Sequence, residues 1–271
     1  MVLVADMVAG SCAAFAQQSF IQSQRRHNAA MTEVQPTWMG PLIQSDPRLA
    51  QSVRLSVSSF YAPGAHTISY GNNHGVSMIA ARRFQFDFVP PSYFQNHSAT
   101  LNDGFGNVFT QVKYRIASGN AEQGNFAVTA IVSHGFAPRI NQNGLLTSVY
   151  GPKLAAGIAR GHFNVQSTLG GVLPTGKVDV QGRAIEWNAT LQWHANPHVY
   201  VDVENNATFN MGGPLNGKTQ NFVTPAAYYV VRGKEWKPTH PVFVFDAGMQ
   251  IATTSFHTYN HNLVLEMRIL F

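Results

Sequence analysis

The sequence predicts an all-β chain: an antiparallel, up-and-down transmembrane β-barrel of about 12 strands with an irregular N-terminal segment. Three observations predict it. Only 11% of the 271 residues are charged, where a water-exposed domain carries roughly 25%. From about residue 52 onward, short runs alternate with period two and are bounded by Gly, Pro or Asn. The chain also stops on an aromatic, Phe271, that closes an apolar stripe. A helical membrane protein is excluded, because no run of about 20 apolar residues is present. The single cysteine, Cys12, rules out a disulfide framework and a cysteine-based zinc site. The formal charge of +5 is scattered, with no basic run beyond Arg25-Arg26 and Arg82-Arg83, so no nucleic-acid partner is expected.

Taken in order, residues 1–16 are apolar and small and end in Ala14-Phe15-Ala16 before Gln17, as the end of a secretory signal does. The basic start of such a leader is missing and Asp6 interrupts it. A truncated signal peptide is therefore expected, a short buried helix being the alternative. Residues 17–51 show no periodicity and are punctuated by Pro36, Trp38, Pro41 and Pro47. They form an irregular segment, either a plug in the barrel or a periplasmic tail. Residues 52–271 make the barrel itself.

Twelve runs are expected as strands: 52–61, 66–72, 76–89, 106–117, 124–135, 147–159, 162–173, 184–194, 198–209, 220–232, 241–253 and 260–271. The inner turns then fall at 73–75, 118–123, 160–161, 195–197 and 233–240, and the outer loops at 90–105, 136–146, 174–183 and 210–219. The last run is the clearest. Leu263, Leu265, Met267, Ile269 and Phe271 share one face, which is similar to the C-terminal insertion signal of bacterial outer-membrane barrels. Elsewhere Phe84, Phe86 and Phe88 oppose Arg83, Gln85 and Asp87; Val112, Tyr114 and Ile116 oppose Gln111, Lys113 and Arg115. Trp187, Leu191 and Trp193 oppose Glu186 and Gln192, and Val199, Val201 and Val203 oppose Asp202 and Glu204. The faces of 124–135 and 220–232 are blurred.

Alternation alone also fits a soluble sandwich with its charges outside. The scarcity of charge decides for lipid, since exposed sheets protect their edges with Lys and Glu. Trp187, Trp193, Tyr61, Tyr114, Phe209 and Phe271 lie near strand ends, as interfacial girdles do, core aromatics being the alternative. The lumen-lining candidates are Arg83, Asp87, Lys113, Arg115, Glu186, Asp202, Glu204, Glu266 and Arg268. Both signs are present, so cross-strand pairing would close the lumen as readily as line a solute path.

Several stretches resemble a known family: Ser69-Tyr70-Gly71-Asn72-Asn73-His74-Gly75, Asp103-Gly104-Phe105-Gly106-Asn107-Val108, residues 165–174, Gly212-Gly213-Pro214, residues 216–220 and Thr224-Pro225. The resemblance is to the outer-membrane barrels of the phenol meta-cleavage-pathway (MetA-type) transporter family, over most of residues 37–271. Asn107 departs from it, standing where an acidic residue is expected. The resemblance implies uptake of aromatic compounds and assigns no catalytic residue.

Other chemistry finds little support. His194/His198 and His257/His261 have the i,i+4 spacing that makes a metal pair on a helix but not across a strand or tight turn. Ser77 near His74 and Ser133 beside His134 are only local neighbours, and adjacent strand residues point to opposite faces. Gly170-Gly171 and Gly212-Gly213 lack a phosphate-loop context. No metal or cofactor is expected. The expected partners are outer-membrane lipid, a small-molecule solute and the barrel-assembly machinery during insertion. Passage of small solutes through a narrow lumen is the expected function, with a lipid-modifying hydrolase or a structural, adhesive barrel as alternatives.

Overall fold

The computed structural model describes residues 30–31, 33–98, 101–137, 143–232 and 241–271. The expected signal peptide and the inner turn at 233–240 lie outside them. The strand segments are β1 (Ser52–Ala62), β2 (Ala65–Tyr70), β3 (Gly75–Ala81), β4 (Phe84–Val89), β5 (Tyr93–His97), β6 (Gly104–Phe105), β7 (Val108–Gly119), β8 (Phe126–Phe136), β9 (Val149–Arg160), β10 (Phe163–Pro174), β11 (Arg183–Asn196), β12 (Val199–Met211), β13 (Thr219–Val231), β14 (Val242–Ala252) and β15 (His261–Leu270). All pair antiparallel in one sheet, and β15 returns to β1 from Ser52↔Leu270 to Tyr61↔His261. Closure leaves the wall without a free edge, so its amides are satisfied within the protein, as a hydrocarbon surround demands.

The fifteen segments form twelve staves. β1 pairs β2 over its second half and β3 over its first, so β2 and β3 are one strand interrupted at Gly71–His74. β4 and β5 likewise continue one another across Pro90-Pro91-Ser92, and β6 and β7 across Gly106-Asn107. This corrects the expected boundaries of the second and third strands. The expected inner turn at 73–75 is an interruption within a stave. The real reversal is Arg82-Arg83, and the expected outer loop 90–105 contains β5.

Side chains alternate inside out relative to a soluble protein. Phe84, Phe86 and Phe88 are exposed while Gln85 and Asp87 between them are buried; Leu263 and Leu265 are exposed while Asn262 and Glu266 are buried. Gln166, Gln192 and Glu204 have no accessible surface, whereas Leu154, Leu169 and Leu191 are each more than half exposed. Water does not favour such a surface; lipid does. Aromatics mark both rims of this apolar wall, with Tyr61, Phe136, Tyr150 and Phe209 near one end and Phe84, Phe163, Trp193 and Tyr229 near the other. Both ends of the barrel strand set share the rim that carries the short turns at 82–83, 161–162 and 197–198, here called the inner end. No helix among the described residues is long and apolar enough to cross a membrane.

Candidate functional site

The described part of the N-terminal segment, residues 30–31 and 33–51, lies in the lumen and runs from the inner end to β1. The neck of this loop is fastened by Gln35, whose amide donates to the Leu49 carbonyl at 2.6 Å and accepts from the Leu49 amide at 3.1 Å. Such a loop, with close ends and its own contacts, is an Ω-loop. At its tip the backbone N–H groups of Leu42, Ile43 and Gln44 all donate to the Glu204 carboxylate of β12. Three staves away, Arg268 of β15 donates to the carbonyls of Gly40 at 2.6 Å and Pro41 at 2.9 Å. Met39 and Leu42 pack against Tyr200, Tyr228, Val230, Val244 and Val264 of the inner wall. The described part of the segment thus lies inside the wall, and its docked loop is called the plug below.

Some interior charges bond the plug directly, among them Glu204, Arg268 and Lys113, and others pair with one another along the wall. Arg268 pairs with Asp246 at 2.6 Å and with Glu266, and Arg54 pairs with Glu266 at 3.3 Å. Tyr228 donates to Asp202 at 2.6 Å. Asp87 accepts from Gln85 and Gln111, both at 2.6 Å. Lys153 pairs with Glu186 at 2.7 Å, and Lys113 donates to the Asp46 carbonyl at 3.1 Å. Within the plug Asp46 pairs with Arg48 at 2.7 Å. Burial alone would raise the Asp46 carboxyl, but the Arg48 guanidinium and Lys113 outweigh it and hold it down at about 2.

Of the nine candidates, Asp87, Lys113, Arg115, Asp202, Glu204, Glu266 and Arg268 are buried inside, and Glu186 is half-buried there. Arg83 is the correction: it sits in the exposed reversal between β3 and β4, which falls inside the run 76–89 expected as one strand. Sequence reasoning missed Asp246, Arg54 and Lys153, although each alternates with outward neighbours on its strand. It also missed the backbone groups of the plug, for which residue type carries no signal.

The plug leaves part of the lumen unfilled. A chamber of about 420 Å³ remains against β15 and the staves of β1 to β9, lined by Asp46, Arg48, Arg54, Asp87, Lys113 and Arg268 among others. On the outside of the same wall is a second cavity of about 500 Å³ lined by Leu55, Val57, Tyr70, Tyr93, Phe105, Leu265 and Met267. His74 lines both. It stands in the interruption between β2 and β3, with its ring against the Gly71 carbonyl. Gly71, at φ 101°, lies so close to that ring that a Cβ would be 1.9 Å from Nδ1. Only glycine fits there.

The remaining histidines stand apart from such chemistry. His257 bonds Thr254 and Asn260, His198 bonds the Val230 carbonyl, and His194 stacks on Tyr200. The described residues contain no group of three metal-capable side chains. Ser133 bonds Gly151 rather than His134. One Ser–His contact does occur, Ser59 Oγ to His66 Nε2 at 2.8 Å on the outer wall.

No protein-family model matches the sequence. No curated protein matches it either. Among solved structures, an outer membrane channel from Pseudomonas putida F1 superposes with a TM-score of 0.53 at 13% identity, covering 88% of this chain and 100% of that one. OmpT, an outer membrane protein of Vibrio cholerae, gives 0.35 at 8% identity over 86% of this chain and 100% of that one. At this identity the likeness concerns architecture. With its closed wall, apolar outside and polar, plugged inside, the chain has the fold of a β-barrel of the bacterial outer membrane.

Proposed function

We propose that this barrel passes small hydrophobic or aromatic solutes across the outer membrane, and that they cross the wall at His74 instead of running down the axis. The carrying observation is that His74 borders both the apolar outer cavity and the inner chamber, while the plug packs against the inner wall beside that chamber. An apolar molecule dissolved among lipid chains loses little on moving into the outer cavity, whose lining is also apolar. The solved neighbour is described as a channel, and the resemblance to MetA-type barrels favours aromatic cargo. The test compares His74→Trp with a deletion of the plug tip. If the wall is the route, His74→Trp lowers uptake of an aromatic tracer into proteoliposomes about tenfold, and tip deletion raises ion conductance without a matching rise in tracer uptake. Tracer uptake that ignores His74→Trp and follows the plug instead would refute the wall route.

The Ser59–His66 contact favours a second reading, a lipid hydrolase. A serine nucleophile needs its histidine oriented by a third group, and among the described residues no carboxylate bonds His66. The purified barrel is accordingly expected to release no fatty acid from phospholipid vesicles. Release abolished by Ser59→Ala would reverse that assignment.

A further inference from the structure

A second polar feature lies apart from the chamber, beside the start of the described plug segment, where Ser118 Oγ donates to the Val34 carbonyl at 2.6 Å and Arg115 Nη2 lies 3.6 Å from Met31 Sδ. At the inner end, a cavity of about 450 Å³ is lined by Arg82, Arg83, Arg115, Val34 and Ser118, among others. Its construction is specific. The register shift between Arg115 and Ala117 bulges β7, and the reversal at Arg82-Arg83 folds over the bulge. The Arg115 amide donates to the Arg83 carbonyl at 2.8 Å, and Arg115 Nη2 donates to the Arg82 carbonyl at 2.8 Å. The guanidinium is thus held by backbone on one side. Its other nitrogen, Nη1, is buried without a hydrogen-bond partner, in a residue only 5% exposed. Among the described residues, no acidic side chain pairs with Arg82, Arg83 or Arg115.

A buried cation without a counter-charge is costly, and an unbonded guanidinium nitrogen adds to that cost. Three cations facing one cavity call for an anion. A phosphate group fits them: its oxygens are gripped in pairs by guanidinium groups, and it carries one charge as a diester and up to two as a monoester or free phosphate. We infer that Arg82, Arg83 and Arg115 form a phosphate-binding site at the inner rim of the barrel. Two sources share this chemistry: the phosphodiester headgroup of an inner-leaflet phospholipid, which lies at the height of the short turns, and a free phosphate or phosphorylated small molecule in the periplasm.

The experiment separates them. Folded protein in zwitterionic detergent is titrated with inorganic phosphate, and protein in nanodiscs of phosphatidylglycerol or phosphatidylcholine is examined by native mass spectrometry for retained lipid. The variants are Arg82→Gln/Arg83→Gln, in an exposed turn, and Arg115→Lys, which keeps the charge but loses the paired geometry. Arg160→Gln, at another inner turn, is the control. Phosphate binding that weakens about tenfold or more in both variants, but not in the control, supports the site with a free anion as ligand. Phosphatidylglycerol retained by the wild type and lost in both variants, without phosphate binding, supports it with a headgroup as ligand. Wild-type protein that takes neither, or binding that the double turn variant leaves unchanged, overturns the site.

Discussion

At the scale of single residues, the telling side chain is Glu204, which has no accessible surface and accepts from three consecutive backbone amides of the plug tip. Charge-assisted bonds of this kind are roughly twice as strong as neutral ones. Removing the acceptor also leaves the three donors inside a closed lumen. Glu204→Ala is therefore expected to destabilise the docked plug by about 3 kcal/mol, and Glu204→Gln by less. Trypsin reads this directly, because Arg48 lies within the plug and its side chain is only 13% exposed. Faster cleavage after Arg48 in Glu204→Ala than in wild type is the expected outcome; equal rates would mean the amides anchor nothing. Asp46 gives a pH dependence with a definite sign. Its carboxyl is held at about 2, below its ordinary value of roughly 3.9. A depressed value contributes stability that is fully present above the unfolded value and is lost as pH falls through the folded one. The conductance difference between wild type and Asp46→Asn is thus expected to stay constant from about pH 8 to 5 and to close between about pH 4 and 2. Bilayer recordings across that range check it, and a difference that closes near neutrality would contradict the Arg48 and Lys113 contacts as its source.

At the scale of elements, the barrel wall is cut to receive the plug. A Cβ on Gly248 of β14 would lie 2.6 Å from Leu42 Cδ2, and one on Gly157 of β9 would lie 2.8 Å from Trp38 Cζ2. Neither glycine has a positive φ, so a valine suits the strand backbone; its sharpest conflict is with the loop inside, while Ala226 Cβ at 3.0 Å and Gln166 Cγ at 3.2 Å on the neighbouring strands must yield slightly. Gly248→Val and Gly157→Val are expected to keep a folded barrel, seen as altered gel migration on heating, while raising single-channel conductance. A folded variant with wild-type conductance would show that the plug is not what limits the axial path. These recesses were illegible in the sequence, because the plug meets the wall through backbone groups and aperiodic contacts. The staves were legible, since Phe84, Phe86, Phe88 or Leu263, Leu265 alternate with polar partners as a lipid boundary requires. The second and third were misplaced for a physical reason. Asn72-Asn73-His74-Gly75 carries strong turn signals yet lies inside a stave. Arg82-Arg83 carries none yet reverses the chain. The bulge between Ile79 and Ala81 then shifts register by one, so even-numbered residues point outward on both sides of the reversal and the period continues unbroken through it.

At the scale of the whole molecule, everything depends on which solvent touches the outside. Both a sandwich and a barrel satisfy the alternation, and only the closed pairing of β1 with β15 together with the buried polar interior separates them. The interior is full enough of polar partners that the outer wall must carry the apolar area, the reverse of folding in water. One substitution weighs the two surrounds against each other. Leu265 stands midway along β15, opposite Val57 and Ala247, and is 48% exposed. An arginine there would cost little on a water-covered surface, roughly 0.5 kcal/mol or less. On a lipid-facing strand near mid-height it costs about 2–4 kcal/mol. Leu265→Arg is therefore expected to lower the folding free energy into phosphatidylcholine vesicles by that larger amount, measured by reversible urea unfolding. Glu266→Gln, one residue away and facing inward, should shift it through the Arg54 and Arg268 ion pairs instead, with a dependence on the plug that Leu265→Arg lacks. A cost below about 0.5 kcal/mol at Leu265 would mean that water covers this face, and the wall route proposed at His74 would fall with it.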